Sequence, residues 1–256
     1  MPDLKYLKME TGDGIARLTL ARPKHNVLNI DMMRELNSQL EMLIADPDLK
    51  CVVLLGEGPS WCAGVEVADH KPEMVDEMIA TFNRIFELID QLQVPCIAAV
   101  QGACLGGGME LAIACDMVLA SEKAVFGQPE IKLGFFPPYA AIRLPHLVGP
   151  AKAIEICVTG KRYSAAEAVA MGFVTRCTVP DQLMEEVDKL VAEIQYNSPR
   201  IIRLNKQAVK QHQDMGFSRA LAGVSDLFLN TLMKTEDTLE GIRSFEEKRK
   251  PNWRNN

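Results

Sequence analysis

The chain has 256 residues, of which 48% are hydrophobic and 24% are charged, and its formal net charge is −6. This composition is that of an ordinary folded protein and excludes a disordered chain, and no window approaches the roughly 18 uninterrupted apolar residues of a membrane helix. The acidic balance also argues against nucleic acid as a partner, because duplex binding depends on clustered Lys and Arg.

The N-terminal part of the chain alternates between strand and helix patterns. Residues 14–21 (GIARLTLA) alternate apolar and polar side chains as a half-buried strand does, and residues 29–46 then repeat with helical periodicity. Two apolar runs at residues 51–56 and 96–102 predict buried strands, and the long amphipathic helix predicted over residues 72–93 lies between them. Repeated strand and helix units of this kind predict a mostly parallel α/β core.

The last third of the chain is helical by its periodicity, without a strand pattern. Four helical patterns follow one another after about residue 180, over residues 180–195, 199–213, 218–234 and 237–250. We therefore expect a strand-containing core over residues 1–195, which would hold the active site, and a helical C-terminal region over residues 196–256.

A run of three glycines stands out in the segment CLGGGMELAIACD, residues 104–116. We predict a strand at 97–101, a glycine turn, and a helix from about residue 107 whose first N–H groups have no partner in the helix. Glycines 106 to 108 would let a substrate atom approach the main chain, and the helix dipole favours a negative oxygen there. The segment can thus form half of an oxyanion hole. It lacks the Lys-Ser/Thr of a P-loop and the spacing of a GxGxxG motif, which argues against phosphate binding.

Two glutamates accompany this glycine run. Glu110 falls in the first turn of the predicted helix, and Glu130 follows Pro129 in the segment FGQPEIKLG. Alone, Glu110 would be expected only to stabilise the helix dipole, and Glu130 would be an exposed loop residue. Together with an oxyanion site, two carboxylates are what proton transfer at a carbonyl-activated carbon requires.

The cysteines and histidines do not predict a metal or redox centre. The seven cysteines include no CxxC pair and lie mostly in apolar runs, so we expect them to be reduced and structural. The four histidines lie far apart, and His70 is expected to be a surface or packing residue. These spacings predict that the protein binds no metal. The N-terminus has no secretory signal pattern, so we also expect a cytoplasmic protein.

Six ordered segments resemble the crotonase family, the enoyl-CoA hydratases and isomerases. They are LARPKHNVLNIDMMREL, WCAGVEV, VPCIAAVQGACLGGGMELAIACD, FGQPEIKLG, RLPHLVGPAKAIEICVTGKRYSAAEAVAMGFV and EDTLEGIRSFEEKRKPNW. The resemblance implies a spiral of ββα units and a helical C-terminal trimerisation region, giving a homotrimer or a hexamer made of two trimers. It also implies an acyl-CoA thioester as substrate and no other cofactor.

The resemblance also implies an oxyanion hole made of two main-chain N–H groups, those of Val65 and Gly107. Ala63 and Gly106 would then contact the substrate beside them. The family usually has alanine at the position of Val65, but only the N–H is needed there.

The two glutamates match the pair of the family's hydratases. We expect Glu110, ionised, to activate water for attack at the β-carbon, and Glu130 to deliver the proton to carbon. Lys248 matches a lysine that approaches the CoA phosphates from a neighbouring subunit in relatives.

One segment departs from the straight-chain hydratases, which typically have a glycine-rich PGxGGT sequence after the second glutamate. This chain reads GFFPPYAAIRL over residues 134–144. If Phe136 and Tyr139 line the acyl pocket, they give a rigid apolar slot for a flat ring; otherwise the loop packs away from the substrate. Within the family, this loop together with the segments VADHKPEM, LARPKHNVLN and KPNW resembles hydratases of cyclic dienoyl-CoA thioesters in anaerobic aromatic breakdown. A straight-chain 2-enoyl-CoA hydratase, a double-bond isomerase and a noncatalytic acyl-CoA binding protein are the alternatives.

Overall fold

The computed structural model describes residues 4–256, which form ten strands and ten α-helices. The strands are β1 (Leu7–Gly12), β2 (Ile15–Leu20), β3 (Cys51–Gly56), β4 (Ser60–Cys62), β5 (Cys96–Val100), β6 (Ala103–Leu105), β7 (Met117–Ser121), β8 (Val125–Gly127), β9 (Arg162–Ser164) and β10 (Arg176–Thr178). The helices are α1 (Ile30–Ile44), α2 (Val75–Gln91), α3 (Gly107–Ala114), α4 (Pro138–Val148), α5 (Pro150–Thr159), α6 (Ala165–Met171), α7 (Leu183–Gln195), α8 (Pro199–Lys210), α9 (Phe217–Asn230) and α10 (Glu236–Glu246).

The larger sheet has six strands in the order β1-β2-β3-β5-β7-β10. Only β1 is antiparallel to its neighbour, and the other pairs are parallel. Alternate side chains of its central strands enter two apolar clusters: Leu54 and Ala98 pack in the cluster that includes α1 and α2, and Val53 and Ile97 pack in the one that includes α7. Burial on both faces explains why these strands are continuously apolar in sequence. The mostly parallel α/β core is as predicted.

The smaller sheet has four strands in the order β4-β6-β8-β9. Strands β6 and β8 are parallel and pair Leu105 with Gly127, and the N–H of Gly106 donates to the carbonyl of Gly127 at 2.9 Å. Each of these four strands has three residues, too few for a period-two pattern to be recognised in the sequence. Because β6 leads into α3 and β8 leads towards Pro129, this sheet fixes the start of both segments that carry the glutamates.

The chain after β10 is helical in the part that the structure describes, as the periodicity predicts. Helix α9 has no buried side chain, and large apolar residues such as Phe217 and Phe245 are exposed. The boundary between residues 195 and 196 stays a prediction. Among residues 4–256, none of the helices combines the length and the apolar character that crossing a bilayer requires.

Candidate active site

A cavity of about 340 Å³ lies between the starts of α2 and α3 and the loops that precede α2 and α4. Seven of the nine residues expected at the site line this cavity, namely Ala63, Val65, Gly106, Gly107, Glu110, Glu130 and Phe136. Its wall is otherwise mostly apolar, so the two carboxyl groups face a poorly hydrated space. The structure thus brings together the groups on which the sequence-based interpretation depends.

Two main-chain N–H groups on this cavity are free to donate. Val65 forms a parallel bridge with Leu28, in which Leu28 donates to Gly64 at 2.9 Å and Glu66 donates to Leu28 at 2.8 Å. This pairing leaves the N–H of Val65 on the opposite side of the chain. Gly107 is the first residue of α3, so its N–H has no partner within the helix. Within residues 4–256, neither N–H donates to a protein acceptor.

The bare glycine backbone allows three groups to approach one another. Gly106 has φ +54° and ψ −131°, a conformation that side chains strongly disfavour. A Cβ there would lie 2.6 Å from Oε1 of Glu130. A Cβ on Gly107 would lie 2.5 Å from Cγ2 of Val65 and 3.0 Å from Cζ of Phe82. The glycines therefore allow the Glu130 carboxyl and the Val65 side chain to lie close to the start of α3.

Glu110 is almost completely buried, with 2% of its surface exposed. Its Oε1 accepts a hydrogen bond from the N–H of Ala140, in the first turn of α4, at 2.8 Å. Burial raises the pKa of Glu110 to about 8, and the nearby charge of Glu130 adds to this rise, while the N–H groups of Ala140 and Tyr139 oppose it. The carboxyl thus lies at the N-termini of two helices, and the effect of burial on its pKa outweighs that of the N–H donors.

Glu130 lies in a 3-10 turn, Pro129–Leu133, and is partly buried. Burial raises its pKa to about 7, and its own backbone N–H opposes the rise. The side chain of Gln128 is completely buried; with its amide NH2 turned towards Glu130, it donates to both carboxylate oxygens at 3.1 Å. Sequence reasoning did not single out Gln128, and its only signal was an amide two residues before the glutamate.

A sequence model described as enoyl-CoA hydratase/isomerase matches residues 10–256. The chain belongs to this family. It is 38% identical to a probable enoyl-CoA hydratase of Rhizobium meliloti over 251 residues, 97% of each chain. It is also 35% identical to a crotonyl-CoA hydratase of Syntrophomonas wolfei over 251 residues, 96% of each chain.

Solved structures give the same result. The fold is similar to an enoyl-CoA hydratase from Bacillus anthracis, with a TM-score of 0.93 and 29% identity over 98% of this chain and 100% of that one. A Geobacillus kaustophilus protein of the same description has a TM-score of 0.90 and 33% identity over 98% and 99%. These matches confirm the predicted crotonase-type fold and the expectation of a hydro-lyase.

The two glutamates of this family member share one cavity, and the charge of one raises the pKa of the other. They therefore titrate as a pair. Burial raises the pKa of both carboxyls, and it raises that of the more buried Glu110 further. The pair can therefore hold one proton between the two carboxyls, which is what one acid and one base require. The division of roles stays a prediction.

Of the two aromatic residues predicted to line the acyl pocket, Phe136 and Tyr139, only Phe136 lines the cavity. Phe135, Phe136 and Pro138 line the cavity, and Phe136 is 73% exposed. The Tyr139 side chain does not line it but stacks on Phe86, with ring centroids 3.9 Å apart and an interplanar angle of 11°. The contact of Tyr139 with substrate stays a prediction, and its ring is held against Phe86 on α2.

His70 and Lys248 are the other two residues that the sequence analysis considered. His70 lines the cavity, its Nδ1 donating to the carbonyl of Glu66 at 3.0 Å and its ring packing on Phe135 with centroids 4.9 Å apart. Lys248 follows α10 and is not among the residues around the cavity in the part of the chain that the structure describes. Its contact with CoA phosphates from a neighbouring copy stays a prediction.

Proposed function

We propose that this protein adds water to a double bond that is conjugated with the carbonyl of an acyl-CoA thioester. One observation carries this proposal: two unpaired main-chain N–H groups and two carboxyls with raised pKa values face the same apolar cavity. The N–H groups match the developing charge of an enolate oxygen, and the carboxyls match two proton transfers.

The proposed reaction begins when the thioester oxygen accepts hydrogen bonds from Val65 and Gly107. These donors stabilise the enolate that forms as hydroxide adds to the β-carbon, by about 2.7 to 4 kcal/mol each if they resemble other oxyanion holes. The ionised glutamate takes the proton that water releases, and the protonated glutamate donates its proton to carbon. The sum is one water molecule added, so the reaction needs no further cofactor.

For the substrate, we propose cyclohexa-1,5-diene-1-carbonyl-CoA, hydrated to 6-hydroxycyclohex-1-ene-1-carbonyl-CoA in anaerobic benzoyl-CoA degradation. Hydroxide would add to the β-carbon, and the dienolate would take its proton at the far carbon, leaving one conjugated double bond. The support is the wall of Phe135, Phe136 and Pro138, which is apolar and carries two aromatic rings. Such a wall suits a flat ring better than a free chain.

The alternative is a straight-chain 2-enoyl-CoA hydratase or an enoyl-CoA isomerase that uses the same groups. The similarity to a protein named crotonyl-CoA hydratase favours this alternative. Initial rates with the cyclic dienoyl-CoA and with crotonyl-CoA distinguish the two: a strong preference for crotonyl-CoA refutes the ring assignment. A noncatalytic acyl-CoA binding protein would not need two carboxyls in the cavity, and it would show no turnover with either thioester.

The glutamate roles are tested by Glu110→Gln and Glu130→Gln, with exposed Glu10→Gln as the control. Each substitution in the cavity should lower kcat by about 10² to 10⁴ while thioester binding is largely kept. Loss of the base removes the rising limb of the pH profile, and loss of the acid removes the falling limb. If neither variant slows hydration, the mechanism is refuted.

We also propose that copies of the chain assemble into a homotrimer or a hexamer made of two trimers. The support is the C-terminal region, where α9 has no buried residue and Phe217 and Phe245 are 81% and 85% exposed. Such side chains are expected to be covered by a second copy. Light scattering tests this directly: a monomeric mass at micromolar concentration contradicts the proposal. If Lys248 reaches CoA from a neighbour, Lys248→Ala should raise KM with kcat unchanged.

A further inference from the structure

Three aromatic rings contact one another in a row beside the cavity. We call these three residues, Phe82, Phe86 and Tyr139, the aromatic ladder. The rings of Phe82 and Phe86, both on α2, meet edge to face with centroids 4.7 Å apart. Phe86 then stacks face to face on Tyr139 of α4 at 3.9 Å. The two phenylalanines are buried and Tyr139 is partly buried. Contacts of this type constrain both the distance and the orientation of the rings.

The two ends of the ladder touch groups of the proposed reaction. At one end, Cζ of Phe82 would lie 3.0 Å from a Cβ on Gly107, so the ring lies against the proposed oxyanion donor. At the other end, Tyr139 directly precedes Ala140, whose N–H donates to Glu110 at 2.8 Å. A displacement of the Tyr139 ring would therefore move the main chain that holds Glu110.

The start of α4 has no side-chain cap, and Ala140 in its first turn is buried in the core. The helix begins at Pro138, which has no N–H, and its N-cap Pro137 has no side chain that could cap the helix. The donors to Glu110 are thus limited to the N–H groups of Tyr139 and Ala140. A cavity of about 490 Å³ also borders Tyr139 and Phe86, so the ring is not enclosed by packing on every side.

We propose that Tyr139, through its stack on Phe86, is a positioning residue that holds the first turn of α4 and thereby orients the carboxyl of Glu110. This inference rests on the proposed function of Glu110. The Tyr139 hydroxyl is not part of the mechanism, because the stack requires the ring alone. The ladder also connects Glu110 with the Gly107 donor, so one set of contacts fixes two of the groups that must meet the substrate.

Substitutions at both ends of the stack test this proposal. Tyr139→Leu should lower kcat by about 10- to 100-fold, because small misplacements of a catalytic group have effects of this size. KM should change far less than kcat. The apparent pKa of Glu110 in the pH profile should rise, since looser N–H donors stabilise its ionised form less. Tyr139→Phe, which keeps the ring, should restore both kcat and the profile.

A double variant tests whether Tyr139 affects turnover through its contact with Phe86 or independently of it. If Tyr139 acts through Phe86, the combination of Phe86→Leu with Tyr139→Leu should slow turnover little more than either change alone. The matched control is Phe173→Leu, which breaks another aromatic pair, with Phe126 at 5.5 Å, away from the cavity. It should lower stability without moving the pH profile.

Three results would overturn the proposal: an unchanged pH profile in Tyr139→Leu, effects equal to those of Phe173→Leu, or multiplicative losses in the double variant. If the wild-type protein hydrates no thioester, the proposed function fails, and the inference is then tested by titration. Carboxyl carbon NMR, with the Glu110 signal assigned from Glu110→Gln, should show a higher titration midpoint in Tyr139→Leu. An unchanged midpoint overturns the inference in that case.

Discussion

Replacing Glu110 with Gln should stabilise the fold in a pH-dependent way. Burial raises the pKa of Glu110 from an ordinary 4.5 to about 8, so the folded state holds a proton that the unfolded chain releases at lower pH. The stability associated with this proton is fully present below pH 4.5 and is lost as the pH rises towards 8. A neutral glutamine of the same shape avoids this loss.

The size of this change in stability follows from the pKa shift of Glu110. At roughly 1.4 kcal/mol per pKa unit, the wild-type protein loses about 3 to 4 kcal/mol between pH 5 and pH 8 through this group. The glutamine carbonyl can still accept the hydrogen bond from Ala140, so the substitution should leave the packing largely intact. Compared with wild type, Glu110→Gln should therefore gain about 3 kcal/mol more stability at pH 8 than at pH 5, while its hydration activity is lost.

Urea unfolding at the two pH values, at one protein concentration, measures this difference. Exposed Glu10→Gln on β1 is the control, and its stability relative to wild type should not depend on pH. Should Glu110→Gln and wild type differ by the same free energy of unfolding at both pH values, the carboxyl is not buried with a raised pKa. The reasoning on the glutamate pair would then be wrong.

Four substitutions at three positions test the site geometry. Gly106→Ala should leave circular dichroism unchanged but lower kcat by about 10²-fold, because its Cβ would lie 2.6 Å from Glu130 Oε1. Gly108→Ala should destabilise the fold in urea by about 3 kcal/mol, since its Cβ would overlap the main-chain oxygen of Cys62. Val65→Ala keeps the N–H donor and should retain far more activity than Val65→Pro, which should lose about 10²- to 10³-fold in kcat.

Periodicity predicted the parts of the fold in which local pattern and burial agree. Strand β3 occupies the predicted residues 51–56, and α2 (Val75–Gln91) lies within the predicted 72–93. Strand β6 was not separated from the glycine turn before α3, because three residues carry no readable alternation. Such strands are recognised only from their pairing with neighbouring strands.

In the candidate site, too, the sequence predicted the residues that have local signals and missed the contacts between distant residues. Glu110 and Glu130 were singled out because glycine and proline next to them are local signals. The direction of the Tyr139 ring could not be predicted, since it depends on Phe86, a partner far away in sequence. The contact of Gln128 with Glu130 was missed because an amide in a loop shows no sign of burial in the sequence.

The small sheet has a consequence for how such an enzyme can diversify. The pairing of Leu105 with Gly127 ties the segments leading to the two glutamates to one sheet, while residues 134–137 form a loop beyond it. New side chains in that loop can reshape the acyl end of the cavity without disturbing the sheet. If the loop contacts the acyl group as proposed, a graft of residues 134–137 should change substrate preference and preserve the reaction type.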